Sequence, residues 1–293
     1  MKTAAYVINW NSGELIARCI ESLKAQSLDE IVVIDNGSTD GSCELAERLG
    51  ATVVRNGRNT GYAAAANQAL KDAISKGAAF ALVVNPDAVL SDGAAEALVR
   101  ALEDDPAAAV ASPLVVSEST GLVEAAWYEF NFRHMIVRPA GAGERPERFA
   151  ETKAVPAVAG VAWMFRTSAM NEVGFLNEEF FAYHEDVEWC YRAALKGKKA
   201  LLVPSARALH AGFRGDPSGR IIKAYFTARN SVLFAKRWLT GKRRMKFGAF
   251  LLSSIPVYFL RGAVDETASW KLKGIRDGFS GKLDHDIRRM LGI

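Results

Sequence analysis

The chain of 293 residues carries a net charge of +4 and can bury a sizeable core in one or two domains. Its three cysteines (Cys19, Cys43, Cys190) lie far apart, which excludes a disulfide framework and zinc-type spacing and makes a reducing, cytosolic setting the expectation. Met1 to Ile8 runs straight into a strand pattern without an apolar leader, and no apolar run reaches about 18 residues, so neither a signal peptide nor a transmembrane helix is expected.

In chain order, Val7-Ile8 ends in Asn9-Trp10-Asn11-Ser12-Gly13, and Leu15, Ile16, Cys19, Ile20 and Leu23 then share one helical face with Ser12 as N-cap. Ile31 to Ile34 is a second buried strand that runs into Asp35-Asn36-Gly37-Ser38-Thr39-Asp40-Gly41-Ser42. A helix around Leu45 and Leu49 stops at Gly50, with Cys43, like Cys19, read as core filler. A short strand, Thr52 to Arg55, leads into Asn56-Gly57-Arg58-Asn59-Thr60-Gly61-Tyr62 and an Ala-rich helix from about Ala63 to Ser75. Phe80 to Val84 is an unbroken apolar run, the mark of a strand buried on both faces of a parallel sheet. It stops at Asn85-Pro86, and Asp87 follows just past its carboxyl end.

Repeated strand–turn–helix units predict a βαβ sheet with right-handed crossovers, and its strand ends bring Asn9, Asp35 and Asp87 to one edge. Such an edge suits a nucleotide, whose base and ribose are read by amide and carboxylate groups. Neither G-x-G-x-x-G nor a P-loop occurs, which argues against dinucleotide binding and P-loop chemistry.

Val32 to Ser42, Arg58-Asn59-Thr60-Gly61-Tyr62-Ala63 and Asn85-Pro86-Asp87 together resemble the family 2 glycosyltransferases, in their bacterial rhamnosyltransferase-like branch. The resemblance spans about residues 4–240 and implies the GT-A fold: an α/β architecture with a mixed, mostly parallel sheet flanked by helices. It further implies a nucleotide-sugar donor, Mg²⁺ or Mn²⁺, and inversion at the anomeric carbon. On this likeness Asn9, Asn11, Asp35, Asn59, Gly61, Asn85 and Asp87 bind the nucleotide, and Asn85-Pro86-Asp87 stands for the family's Asp-x-Asp, with Asn85 replacing its first carboxylate.

Farther along, a helix through Leu98 and Leu102 ends near Asp105-Pro106, and Val110 to Val116 reads as a strand. Residues 117–154, rich in aromatics (Trp127, Tyr128, Phe130, Phe132), read as a long irregular insertion over the site or packed on the body, with His134 at the surface. Ala157 to Arg166 reads as a strand and Asn171 to Leu176 follows it. Tyr183-His184-Glu185-Asp186-Val187-Glu188 then opens a helix with Val187, Cys190 and Tyr191 toward the core. By itself this is an acidic helix start, where the dipole favours ionised carboxylates. The resemblance makes Asp186 the general base and puts Trp163, His184 and Glu185 at the acceptor. Ala200 to Pro204 is a further strand, and the resemblance has His210 complete the metal site with Asp87, while Arg214 meets phosphate.

A helix from Ile221 to about Trp238 ends without the Gln-x-x-Arg-Trp of processive relatives, so a single addition is expected. Residues 1–218 hold 21 Lys and Arg against 28 Asp and Glu, whereas 219–293 hold 16 against 5, which points to an anionic surface near the tail. Lys242 to Lys246 precede an apolar run, Phe247 to Leu260, that is broken by Pro256 and either lies in a membrane interface or packs on the body. Trp270 onward reads as a basic helix and tail.

The expected domains are 1–218, with a nucleotide-binding half (1–116) and an acceptor-binding half (117–218), and a basic helical extension at 219–293. The expected enzyme moves a sugar from dTDP-rhamnose, or a UDP- or GDP-sugar, to a lipid-linked or cell-surface glycan acceptor. It is expected at the cytoplasmic membrane face, with no nucleic-acid partner, since no reader motif accompanies the basic tail. The alternative is a degenerate member that binds nucleotide or scaffolds a membrane complex, for which the Asn85 substitution speaks.

Overall fold

The apolar runs at Ile31 to Ile34 and Phe80 to Val84 become strands, and the one-faced pattern from Leu15 to Leu23 becomes a helix. The computed structural model describes all residues except 133–135, 213–216, 263–264 and 292–293, so His134 and Arg214 lie outside the described residues. By its internal contacts the chain forms two units: residues 1–129, 139–178 and 186–212, and residues 130–138, 179–185 and 213–293. The second unit thus begins at 213 and takes in two short excursions from the expected first domain.

The first unit begins with β1 (Thr3–Asn9), α1 (Leu15–Lys24), β2 (Glu30–Asp35), α2 (Ser42–Arg48), β3 (Thr52–Arg55), α3 (Tyr62–Ser75) and β4 (Phe80–Val84). β1 runs parallel to both β2 and β4, and β2 parallel to β3. The chain therefore lays β2 and β3 on one side of β1 and returns on the other with β4. That reversal makes a crevice outside the carboxyl ends of β1 and β4, where ligands of open α/β sheets bind. β5 (Ala88–Leu90), α4 (Ala94–Asp104) and β6 (Ala108–Ser117) follow. Ile16, Cys19, Ile20 and Leu23 of α1 and Leu98 and Leu102 of α4 pack with Val7, Leu82 and Val84 of the sheet in one core.

Residues 117–154 are not the irregular insertion expected. They hold β7 (Val123–Ala125), β8 (Trp127–Phe130), β9 (Val137–Ala140) and β10 (Lys153–Val155). β7 pairs with β6, β8 with β9, and β10 with the later β12. Short strands separated by Gly turns give no lasting alternation, which is why the pattern was unreadable. The expected strand at Ala157 to Arg166 is shorter: β11 (Ala162–Arg166), antiparallel between β4 and β6. α5 (Met170–Val173), α6 (Glu185–Leu195) and β12 (Lys199–His210) complete the series, and β12 runs through Pro204 with a register shift between Val203 and Arg207. The whole is a mixed, mostly parallel sheet with flanking helices.

The second unit is helical: α7 (Pro217–Trp238), α8 (Gly241–Gly262), α9 (Glu266–Ser280) and α10 (His285–Leu291). α7 and α9 touch backbone to backbone because Gly274 and Gly278, one turn apart, leave no side chain between them. A Cβ at Gly278 would stand 2.6 Å from the Arg229 carbonyl oxygen. Pro256 does not break α8, which carries it inside the helix on an exposed position. Among the described residues no helix is long and apolar enough to cross a membrane.

Candidate active site

At the ends of β1 and β2, Asn9 and Asp35 stand in register. Asn9 Nδ2 donates to Asp35 Oδ1 (3.0 Å), Ser38 Oγ (3.1 Å) and Ser42 Oγ (2.9 Å), while Asn9 Oδ1 accepts from Ser12 Oγ at 2.6 Å. Ser12 is therefore turned to Asn9 and does not cap α1, whose N-cap is Glu14. Asp35 Oδ2 accepts from the amides of Gly37 (3.0 Å) and Ser38 (3.1 Å), which curls the chain after β2 into a tight loop. Both Asn9 and Asp35 are buried, and the Asn9 amide is spent on partners inside the protein. Asn11 is exposed, at φ +47°, and its Oδ1 accepts from the Thr39 amide at 2.9 Å.

The turn after β3 is tied to the same loop. Asn36 Nδ2 donates to the Gly61 carbonyl (3.2 Å), and Asn36 Oδ1 accepts from Asn56 and Thr60. Asn59 is buried, its Oδ1 accepting from the Gly61 amide at 2.9 Å, so its side chain shapes the turn. Gly37 lies so close that a Cβ there would meet the Arg58 Cα at 2.8 Å, and its φ of +77° is also one that favours glycine.

Past β4, Asn85 Oδ1 is buried with no hydrogen-bond partner among the described residues, an acceptor left for a donor from outside the protein. Three residues on, β5 pairs antiparallel with the end of β12, placing Ala88 opposite His210. Asp87 Oδ2 and His210 Nε2 consequently stand 3.3 Å apart, and His210 Nδ1 meets Glu124 Oε2 of β7 at 2.8 Å. Burial opposes charge on His210, but hydrogen bonds and the charges of Asp87 and Glu124 outweigh it and raise its pKa to about 10. This excess of negative charge around one imidazole favours a cation. A carboxylate oxygen beside an imidazole nitrogen suits Mg²⁺ or Mn²⁺, and with Glu124 at Nδ1 the ion would take Nε2 by displacing its proton. Among the described residues no three His, Cys, Asp or Glu side chains form a metal site alone, so the fit is a two-ligand one. Glu124 was missed because nothing around it in sequence marks a strand.

Asp186 opens α6, buried, its Oδ2 accepting from the Gly160 amide (2.9 Å) and its Oδ1 from the Val187 amide (2.7 Å). Gly160 adjoins Val161, whose carbonyl accepts from the Asn85 amide at 2.8 Å. Two adjacent residues thus link Asp186 to the segment that carries Asp87. Burial raises the Asp186 pKa to about 6 against the pull of its amide hydrogen bonds. The expectation that a helix start simply favours its ionised form is therefore corrected: here desolvation wins.

The acceptor expectations fare differently. Trp163 is fully buried, its indole N–H donating to Tyr62 Oη at 3.1 Å while Tyr62 Oη donates to the Gly160 carbonyl. It is a core residue behind the Gly160 turn, with no surface left for an acceptor. Glu185 is buried as well. Burial holds His184 neutral, with its pKa down to about 4, and its Nδ1 has no hydrogen-bond partner among the described residues. Trp189, not Tyr191, joins Val187 and Cys190 in the core, and the buried Glu188 pairs with Arg192 at 2.9 Å.

The residues just before α6 adopt left-handed backbone at Phe181, Tyr183 and His184 (φ +62°, +65°, +68°), which costs roughly 1–2 kcal/mol at each non-glycine position. Fully buried Asn230 of α7 holds them. Its Nδ2 faces the carbonyls of Phe180 (2.8 Å), Ala182 (2.8 Å) and Tyr183 (2.6 Å), and Arg229 donates to the Glu179 carbonyl (2.9 Å). No periodic signal singles out Asn230 in the sequence.

The family model described as glycosyl transferase family 2 matches residues 5–174. N-acetylglucosaminyl-diphospho-decaprenol L-rhamnosyltransferase of Mycobacterium tuberculosis is 26% identical over 250 residues, 78% of this chain and 81% of that protein. Among solved structures, the mannosyltransferase PcManGT of Pyrobaculum calidifontis, in complex with GDP-Man and Mn²⁺, matches with a TM-score of 0.59 at 20% identity, covering 99% of this chain and 79% of that one. GalNAc-T7 with UDP, GalNAc and Mn²⁺ matches with a TM-score of 0.60 at 18% identity over 80% of this chain, which spans about half (51%) of that protein. These structures share the GT-A fold. With the family model covering more than half its length, the chain belongs to glycosyl transferase family 2.

Proposed function

We propose that the chain is an inverting, metal-dependent glycosyltransferase that moves one sugar, rhamnose, from a nucleoside-diphosphate donor to a lipid-linked glycan acceptor. The observation that carries this reading is the link from Asp186 through Gly160 and Val161 to Asn85, which joins a buried base to the Asp87–His210 pair. The choice of rhamnose and of a lipid-linked acceptor rests on the mycobacterial relative's name, and dTDP-rhamnose is the donor to try first, before UDP- and GDP-sugars.

In this reading the nucleotide lies against Asn11, the Asp35–Asp40 loop and the Asn59–Gly61 turn, and the buried Asn85 oxygen accepts from the ribose. Asp87 and His210 would hold Mg²⁺ or Mn²⁺, which when bound supplies positive charge to the departing diphosphate. The Asp186 carboxylate takes the proton of the acceptor hydroxyl. The acceptor oxygen bonds to the anomeric carbon from the side opposite the leaving group as the bond to the diphosphate oxygen breaks, so configuration inverts. A pKa near 6 keeps Asp186 ionised at neutral pH yet makes it a better base than an exposed aspartate. We place this work at the cytoplasmic face of an anionic membrane, where lipid-linked acceptors reside.

A panel of nucleotide sugars with Mn²⁺ and a polyprenyl-diphosphate-linked N-acetylglucosamine acceptor tests the proposal, with the product's anomeric configuration read by NMR. One added residue of inverted configuration is expected from dTDP-rhamnose. Retained configuration, or turnover unaffected by a chelator, overturns the mechanism.

A further inference from the structure

Helix α8 divides its side chains into two opposed faces. Phe247 and Leu251 are buried within the second unit. On the other side Met245, Ala249, Leu252, Pro256 and Phe259 follow one another at spacings of four, three, four and three, so they form one stripe, with Leu260 beside it. All six are exposed, Met245, Leu252, Phe259 and Leu260 by 73–76%. At 1.5 Å per residue the stripe is about 21 Å long. Isolated apolar side chains on a surface are ordinary, but an aligned row on one helix face marks a contact surface.

The charges of α8 identify what covers it. Residues 241–262 contain five basic side chains, Lys242, Arg243, Arg244, Lys246 and Arg261, and no acidic one. All five residues are exposed, and among the described residues none lies within ion-pair distance of a carboxylate. Lys242 and Lys246 flank Met245 at the start of the stripe. A row of apolar groups edged by cations matches a bilayer in which anionic headgroups overlie hydrocarbon. A partly open pocket in this unit, lined by Phe247, Phe250, Tyr258 and Ile275, is about 30 Å³, too small for an acyl chain.

We propose that α8 lies flat on an anionic bilayer, with Met245, Leu252, Phe259 and Leu260 inserted among the acyl chains and Lys242 and Lys246 on the headgroups. This deepens the membrane-face part of the functional reading and does not depend on the catalytic assignments. Co-sedimentation of the full chain with phosphatidylcholine vesicles, with and without about a third phosphatidylglycerol, tests it beside the double variant Leu252→Ser/Phe259→Ser and the pair Lys242→Glu/Lys246→Glu. Wild type should partition at least about tenfold better onto the anionic vesicles, and each double variant should lose most of that gain. All four positions are exposed, so folding, checked by circular dichroism, should persist. Release of nucleoside diphosphate from a soluble donor should be unchanged in both variants, which separates failure of this proposal from failure of the catalytic one. Equal pelleting on neutral and anionic vesicles, undiminished pelleting of the serine variant, or a wild-type dimer that the serine variant dissolves without any vesicle binding overturns it.

Discussion

Replacing Asp186 with Asn removes the proposed base while keeping its shape, and the structure lets the consequences be worked out separately for stability and rate. The folded pKa stands raised from 3.8 to about 6 because burial disfavours the carboxylate. A group raised in this way contributes its stability fully below about pH 4, where the acid is protonated whether folded or not. That contribution is lost as the pH rises through about 6. Roughly 2 pKa units correspond to about 3 kcal/mol by which the buried charge burdens the fold at about pH 8. Asn escapes that burden. Its NH₂ group must, however, face the amide of either Gly160 or Val187, donor against donor, at a cost of about 1–3 kcal/mol. The two effects offset, so near pH 8 the variant should melt within a few degrees of wild type. As the pH falls toward 5 wild type should gain on it. Loss of a general base removes about 10²–10⁴-fold in kcat. Wild-type kcat/KM should fall below about pH 6, while the residual rate of the variant should be flat there. Thermal melts at several pH values with a nucleotide-release assay provide all three readouts. Retention of more than about a tenth of kcat, or loss of nucleotide binding along with rate, would refute the assignment.

Other positions make separable claims. Gly160→Ala would set a Cβ 3.1 Å from Asp186 Oδ2 and 3.2 Å from its Cβ. A steady-state assay should show at least about a tenfold loss of kcat with nucleotide affinity retained, since a small displacement of a catalytic group is costly. Glu124→Gln keeps the size of the His210 partner but removes its charge, and calorimetric Mn²⁺ binding in the presence of nucleoside diphosphate should weaken about 10–100-fold. Unchanged affinity would separate Glu124 from the metal end of the site. Asn230→Ala strips the donor shared by three loop carbonyls, and urea unfolding should show about 2–4 kcal/mol of destabilisation, against near-zero for an exposed control such as Ser253→Ala.

What the sequence disclosed follows from the range of the forces at work. β2 and β4 were readable because consecutive apolar residues buried on both faces stand out without knowledge of their partners. The loop at Asp35 was readable because its own side chain folds the amides of Gly37 and Ser38 around it. β7 and β10 are three residues each and take shape by pairing with β6 and β12, while β8 and β9, four residues each, pair with one another. Trp163 and Asn9 are fully buried, and each donates its side-chain N–H to a partner inside the protein, a pairing that no local pattern announces.

The Asp87–His210 pair shows how far local reasoning can go before topology must supply the rest. Residues 87 and 210 meet because a three-residue strand after the Asn85-Pro86 turn pairs antiparallel with the end of a twelve-residue one. Pro204 lies where the longer strand shifts its pairing with β6, between Val203 and Arg207. From Arg207 onward the register is even, and it sets His210 against Ser117 on one side and Ala88 on the other. Adding or deleting one residue in the shifted segment would move His210 along β5 or turn its ring to the opposite face, away from both Asp87 and Glu124. A one-residue deletion at Ser205 should therefore abolish metal binding while leaving the Asp35 loop intact. Mn²⁺ titration beside metal-free nucleotide binding measures the two separately. Concerted loss of both would mean that the nucleotide loop and the metal end are not the independent parts that their hydrogen bonds describe.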